Sequence, residues 1–475
     1  MSNFKAEATA LLSEFFYEEL GDRDYSLRDF EEFVCSEGTK VLRDAMVTAL
    51  EKLDDAMFSQ RTHDFSVKEK RSRSFASTLG DLRFSRRIYV DQYGNSAAIL
   101  DEALDIGYRS RISPLALEFL VEMASKVSYQ EASNILAEKG GSVVSANTIM
   151  RAIHQVGEDC KAEDAKLAYS LYVEGVAPDS KVEAEEVFIE ADGTYVSLQN
   201  GKKVEVKSMV AYSGKTNGER PERIDACRFG CVGSKDEFWT QSFAALAENF
   251  DVTKIKKVHA GFDGESTFKQ AEKYFLINAE FDGNLDPFHL NRAVRACFDD
   301  KCDAYSQVMS CLWYKNPFDA ADLLESYAEE EIADTKKAEM VAKYIRNNSD
   351  FIRKNDYTLG TMECEQEHLY KSRLAGVPRA WSVAGVDAIA RIRSRKKSGR
   401  ELVFRNREES ISEEVKERRE KKVYKFLENQ PLVFQKTVGH GYNYPVQAHL
   451  NQKIKKGLIS AWSCCRKGSG SADPY

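Results

Sequence analysis

No stretch of the 475-residue chain approaches 18 uninterrupted apolar residues, so there is no candidate membrane span. The opening "MSNFKAEATALLSEFFYEEL" has no basic segment ahead of an apolar block; it reads as an acidic amphipathic helix, not a secretory signal. Matched CxxC pairs are lacking too. The close cysteine pairs, Cys227 with Cys231, Cys297 with Cys302 and Cys464 with Cys465, do not have zinc-site spacing. Ten cysteines in a chain this long do not suggest a disulfide framework, and reduced, buried thiols in the cytosol are expected. The chain also lacks a Walker loop, GxSxG, HExxH and a dinucleotide fingerprint.

Overall positive charge is missing as well: the net charge is −8, which excludes a uniformly basic nucleic-acid coat. The distribution is uneven, however. Residues 61–90 hold eight Lys/Arg against three Asp/Glu, and 391–407 ("RIRSRKKSGRELVFRNR") hold eight against one. Two basic patches on an acidic protein suit a polyanion gripped at chosen places. The hydrophobic content of 43% and charged content of 30% are those of a globular protein, and the length implies several domains.

Residues 1–60 carry apolar residues at helical spacing. Within 61–105, "FASTLGDLRFSRRIYVDQ" alternates and predicts a basic β-hairpin turning at Gly80-Asp81. Residues 106–182 are helical again. Ser113-Pro114, a capping box from Ser128 to Glu131, and Ser145 mark three helix starts, the last opening "ANTIMRAIHQVG". The second and third of these helices make a helix-turn-helix candidate with a long join. From 183 to about 290 the pattern is α/β: strands at about 186–191, 194–199 and 203–212, a helix at 236–249, a strand at 255–262, a helix at 266–275 and a strand at 277–281. That is the order of a ribonuclease-H-like domain, extending to about 400 with a helical insertion at about 292–358. Residues 401–475 read as a helical region and a disordered tail, "KGSGSADP". The fold class is therefore multidomain α+β.

The strand "EVFIEAD" closes on Asp192-Gly193, which invites a turn reading. Three further acids stand where chemistry can use them. Asp263 follows "KKVHAGF", Asp286 lies in "LDPFHLNRAV" with His289 three residues on, and Glu363 opens "MECEQEHLYKSRL". Asp263 and Asp286 also suit helix N-caps, and Glu363 a helix first turn. Together they can converge on one sheet edge, as two hard divalent cations require.

"ADGTYVSLQ…KKVEVKSMVAYSG", "GFDGESTFKQAEKYF", "LDPFHLNRAV" and "ECEQEHLYKSRLAGVPRAWSVAGVDAIARIRS" resemble successive blocks of bacterial insertion-sequence transposases of the ISLre type, relatives of the Mutator-like transposases. "LGDLRFSRRIYVD" and "LDEALDIGYRSRISPLALEFLVEMASKVSYQEASNIL" fit the same pattern, so the resemblance spans about 75–400. It implies a DDE (ribonuclease-H-like) catalytic core with Asp192, Asp263 and Glu363 as catalytic, metal-holding residues and Asp286 with His289 as an accessory pair. It also implies two Mg²⁺ ions, with Mn²⁺ as a substitute.

The implied partners are transposon terminal inverted repeats and target DNA, bound by a homo-oligomer in the bacterial cytosol, nucleoid-associated, with no membrane. The N-terminal helical region and the hairpin (Arg83, Arg86, Arg87) would bind the ends. Arg391, Arg393, Arg395, Lys396 and Lys397 would grip the DNA backbone. The Glu-rich "ECEQE" departs from the family pattern, so Glu365 and Glu367 compete with Glu363, and Asp286 competes with Asp263. Two other functions fit the same residues: a ribonuclease-H-like nuclease that does not join strands, and a transposon-derived DNA-binding protein without catalysis.

Overall fold

The structure is a computed structural model and describes residues 2–21, 26–107, 110–218, 221–264, 270–299, 303–352, 359, 362–375, 380–404 and 426. The expected C-terminal helical region and tail, Cys302, and the Cys464-Cys465 pair lie outside these, apart from residues 401–404 and 426. The chain divides into two compact units, residues 1–149 with 405–475, and residues 150–404.

In the first unit, α1 (Ser2–Leu20) and α2 (Leu27–Ser59) are the expected helices. The Ser26 hydroxyl accepts from the Asp29 N–H while the Asp29 carboxylate accepts from the Ser26 N–H, a closed capping box that fixes the start of α2. The hairpin is longer than its alternation suggested: β1 (Phe65–Ser77) pairs antiparallel with β2 (Gly80–Asp91). Ser77 sits opposite Gly80, so the chain turns at Thr78-Leu79, two residues before the expected Gly80-Asp81. The first half of β1, "SVKEKRS", is exposed on both faces and so carries no apolar period to read. Where the hairpin is buried, Phe65, Phe75, Leu82, Phe84 and Tyr89 form a core with Met57 of α2 and Phe426.

Two helices of this unit follow, α3 (Pro114–Ala124) and α4 (Tyr129–Glu138), and then α5 (Ala146–Tyr169), which belongs to the second unit from residue 150 on. Their starts are the expected ones, with Ser113, Ser128 and Ser145 hydroxyls accepting from the Ala116, Glu131 and Thr148 N–H groups. The third helix does not stop at Gly157 but runs twelve residues further.

The second unit is built on a five-stranded sheet: β3 (Glu186–Ser197), β4 (Lys203–Tyr212), β5 (Cys227–Cys231), β6 (Lys257–Phe262) and β7 (Glu280–Leu285). Its spatial order is β7-β6-β3-β4-β5. The first three strands in sequence pair antiparallel as a meander, and β6 and β7 run parallel to β3. Helix α6 (Lys235–Asn249), capped by Ser234, connects the meander to β6.

Two expectations need correction here. The strands at 186–191 and 194–199 are one continuous strand, β3, and the third meander strand is the short "CRFGC". The expected helix at 266–275 appears among the described residues only as a 3₁₀ turn, Ala271–Tyr274; residues 265–269 lie outside them.

Alternation along β3 sorts the chemistry. Val187, Ile189 and Ala191 face α6 and are buried with its Phe238, Trp239 and Phe243, each large side chain contributing roughly 1.5–3 kcal/mol of burial. Phe188, Glu190 and Asp192 therefore point to the opposite face. There Phe188, Val210 and Tyr212 meet Met362 of α11 (Met362–Gln366), which continues as a π turn, Glu367–Lys371. The stretch expected to be helical at about 292–358 holds α8 (Asp303–Tyr314), α9 (Pro317–Glu329) and α10 (Thr335–Asn347), which share a core with the preceding α7 (Pro287–Arg295). A further helix, α12 (Val383–Lys397), lies against β5.

Candidate active site

Three parallel strands place three aspartates in one row. Ala191 of β3 pairs with Phe262 of β6, and Phe262 pairs with Leu285 of β7. Each of these residues is followed at once by an aspartate: Asp192, Asp263 and Asp286. The Asp286 N–H donates to the Phe262 carbonyl at 2.8 Å, fixing the last step of the row.

Asp192 thus lies where the parallel pairing stops, but it does not end its strand as the Asp-Gly pair suggested. Gly193 pairs with Lys207 and β3 runs on to Ser197. The glycine serves a close approach: a Cβ there would run into the Glu205 carboxylate, which is held by Lys207. The glycine after Asp263 is a turn residue, with Gly264 at φ +94; the Asp263 carbonyl accepts from the Tyr344 hydroxyl of α10 at 2.6 Å.

Asp192, Asp263, Asp286, His289, Glu190 and Met362 line one cleft. Ligand atoms of Asp192, His289 and Glu363 lie within 4.8 Å of one another. Asp286 caps α7, accepting from the Phe288 N–H, and its second oxygen is 2.9 Å from His289 Nδ1; Pro287 follows as the first helical residue. Helix capping and site membership are therefore one arrangement, not alternatives.

Among the three glutamates of "ECEQE", the geometry separates the roles. Glu365 is clamped by Arg223 and Arg228, and Glu367 lies 3.8 Å from Lys371 on an exposed turn. Glu363 alone of the three joins Asp192 and His289, with 47% of its side chain exposed and Lys371 Nζ at 2.9 Å.

Charge in the cleft is unbalanced. Burial, and then the neighbouring Asp263 carboxylate, push Asp192 up to about 7. The hydrogen bond to Asp286 raises His289, and Lys371 holds Glu363 below the usual carboxylate range. Carboxylate oxygens are hard donors, and a cluster of them around a repelled, buried aspartate has the chemistry that Mg²⁺ or Mn²⁺ fits. Glu190 was not singled out from sequence. It is buried in the same cleft and accepts from the Tyr212 hydroxyl at 2.8 Å; its signal was its place two residues before Asp192 on a strand.

The expected DNA-contacting residues divide sharply. In the hairpin, Arg83 is exposed. Arg86 is buried and holds Asp101 through two bonds of 2.9 and 2.8 Å, and Arg87 is tied to Asp54 and Asp55 of α2. In the second patch Arg391 is fully buried, paired with Asp164, Asp387 and Glu237. Arg395 is buried on Asp164, and Arg393 donates to the carbonyls of His368 and Leu369. Arg86, Arg391 and Arg395, buried in these pairs, are structural cations and not DNA contacts, while Arg87 and Arg393 are half-buried. α12 is a buried helix, and apart from its own Asp387 the acids that neutralise it, Asp164 and Glu237, come from distant parts of the sequence. Lys396 and Lys397 are exposed; Arg405 and Arg407 lie outside the described residues. No helix among the described residues is long and apolar enough to cross a membrane.

The second unit is thus an α/β domain with a carboxylate-rich candidate cation site at the carboxyl end of its parallel strands. Residues 20–410 match the uncharacterised protein family UPF0236, and the chain belongs to that family. It is 25% identical over 378 residues to UPF0236 protein TTE2489 of Caldanaerobacter subterraneus subsp. tengcongensis, covering 76% of this chain and 77% of that one. A second relative from that organism, 24% identical over 377 residues (76% of each chain), has a name that joins eleven locus labels, TTE0033 to TTE2212. UPF0236 protein in vanSb 3'region, of Streptococcus gallolyticus, is 24% identical over 396 residues, 80% of this chain and 85% of its own.

Proposed function

We propose that the protein is a DDE transposase whose second unit is a ribonuclease-H-like catalytic core. The observation that carries this reading is the convergence of Asp192, Asp263, Asp286, His289 and Glu363, from three strands and two helices, on one cleft. The strand order supports it: an antiparallel meander with two strands added parallel to its first member. So does the relative whose single name joins eleven loci of one genome, the copy pattern that a mobile element leaves.

Asp192, Asp263 and Glu363 would hold two Mg²⁺ ions, or Mn²⁺ in their place. The ions would supply the charge that stabilises attacking and leaving oxygens in phosphoryl transfer. The chain itself sets the geometry. The strand register fixes the three aspartates, Asp286 orients the His289 ring, and the Arg223–Glu365–Arg228 clamp holds the helix that carries Glu363. Water would attack the phosphodiester at the element end, leaving a free 3′-hydroxyl. That hydroxyl would then attack target DNA, forming a new phosphorus–oxygen bond as the target strand's 3′-oxygen leaves. In the first unit, the exposed Lys68, Lys70, Arg71 and Arg83 of the hairpin and helices α3 and α4, with the first residues of α5, would bind the ends.

Asp192→Asn, Asp263→Asn and Glu363→Gln should each abolish cleavage of end-containing DNA, by at least about 100-fold, while DNA affinity changes little. Glu367→Gln should cleave normally. Full cleavage by Glu363→Gln would remove this reading of the cleft.

A further inference from the structure

Beside the carboxylates stands a cation that none of these contacts uses. The residues of α7 divide by face: Leu290 and Val294, four apart, are fully buried in the core of the helical insertion. His289 and Arg292, three apart, lie on the other side, where residues at that spacing are neighbours one turn apart. His289 lines the cleft. Arg292 therefore stands one turn farther along the same face, exposed.

The other cations nearby are committed. Lys371 is 2.9 Å from Glu363, and Arg295 lies over the Tyr305 ring. Arg292 has no side-chain ion pair or hydrogen bond among the described residues.

A carboxylate cluster repels a phosphodiester even as it gathers the cations that react with it, so the chain must add positive charge beside the cluster. A guanidinium matches two phosphate oxygens at once, and an unpaired one breaks no ion pair on binding. We propose that Arg292 is a substrate-phosphate contact of this cleft, holding a backbone phosphate of nucleic acid next to the carboxylate cluster. This rests on the phosphoryl-transfer reading of the site.

The test uses the full chain and three variants, Arg292→Ala, Arg292→Gln and Arg292→Lys. Binding of a fluorescein-labelled duplex is titrated in Ca²⁺ across a range of salt, and Mn²⁺ binding is measured separately without DNA by electron paramagnetic resonance. The alanine and glutamine variants should bind the duplex about tenfold more weakly, with a log–log salt slope shallower by about 0.9, one phosphate contact. Their Mn²⁺ affinity should be unchanged. Lysine should restore the slope but only part of the affinity, since it keeps the charge without the fork.

An unchanged slope in Arg292→Ala, with duplex binding intact, would overturn the assignment and leave the metal site standing. Loss of Mn²⁺ binding together with the slope would show a structural role and overturn it too. A wild-type protein that binds Mn²⁺ but no duplex would instead defeat the nucleic-acid reading itself.

Discussion

At the scale of single residues, the cleft is a place where the fold works against its own stability. Asp192 is 7% exposed and stands beside two other aspartates. Its carboxyl is raised from an ordinary value of 3.8 to about 7. A carboxyl that holds its proton more tightly when folded favours the folded state fully below pH about 4. That contribution is lost as the pH rises towards 7, and above it the whole cost is present. Asp192→Asn should therefore raise the stability of the metal-free protein at pH 8, on the order of 2–4 kcal/mol. The gain should shrink steadily towards pH 4. Millimolar Mg²⁺ should raise the melting temperature of the wild type and leave that of the variant nearly unmoved. Thermal melts at pH 8, 6 and 4 check this; a variant no more stable than wild type at pH 8 would mean that Asp192 is not strained.

At the scale of elements, one buried carboxylate organises the interior of the second unit. Asp164 of α5 is 2% exposed and accepts from Arg391, Arg395 and Arg400 at 3.0, 2.6 and 3.0 Å. Two of those arginines are four residues apart on α12, which is why they point the same way into the protein. Asp164→Ala would leave three guanidinium groups buried around a missing charge, and should cost about 3–5 kcal/mol in denaturant unfolding. A loss below about 1 kcal/mol would contradict the hub. Lys396→Ala with Lys397→Ala should be neutral in stability, within about 0.5 kcal/mol, and flatten the salt dependence of DNA binding by up to about 0.9 per contact. An unaltered salt slope would place the DNA path away from the end of α12.

At the scale of the molecule, what was legible in sequence followed the range of the interaction. Helix starts were readable because a serine and its capped N–H are three residues apart, as at Ser113, Ser128 and Ser145. Asp192 and Asp263 were readable because each stands at the end of an apolar strand run. The continuity of β3 through Gly193 was not readable, since only the Glu205 side chain from the next strand explains that glycine. Nor were the roles of Arg86, Arg391 and Arg395, whose partners Asp101 and Asp164 lie 15, 227 and 231 residues away. A local charge run cannot tell a surface patch from the buried half of an ion network. The equal standing of Asp286 in the row was likewise hidden, because it depends on strand register.

The central claim is that this cleft both cuts and joins DNA. The most direct measurement incubates the purified protein with Mg²⁺, a DNA fragment carrying the gene with its flanking sequence, and a supercoiled target plasmid. Cleavage is expected at the element ends, followed by covalent fragment–plasmid products, with neither seen for Glu363→Gln or in the presence of a chelator. Cleavage that never yields a joined product, or products that form equally well without the metal, would contradict it.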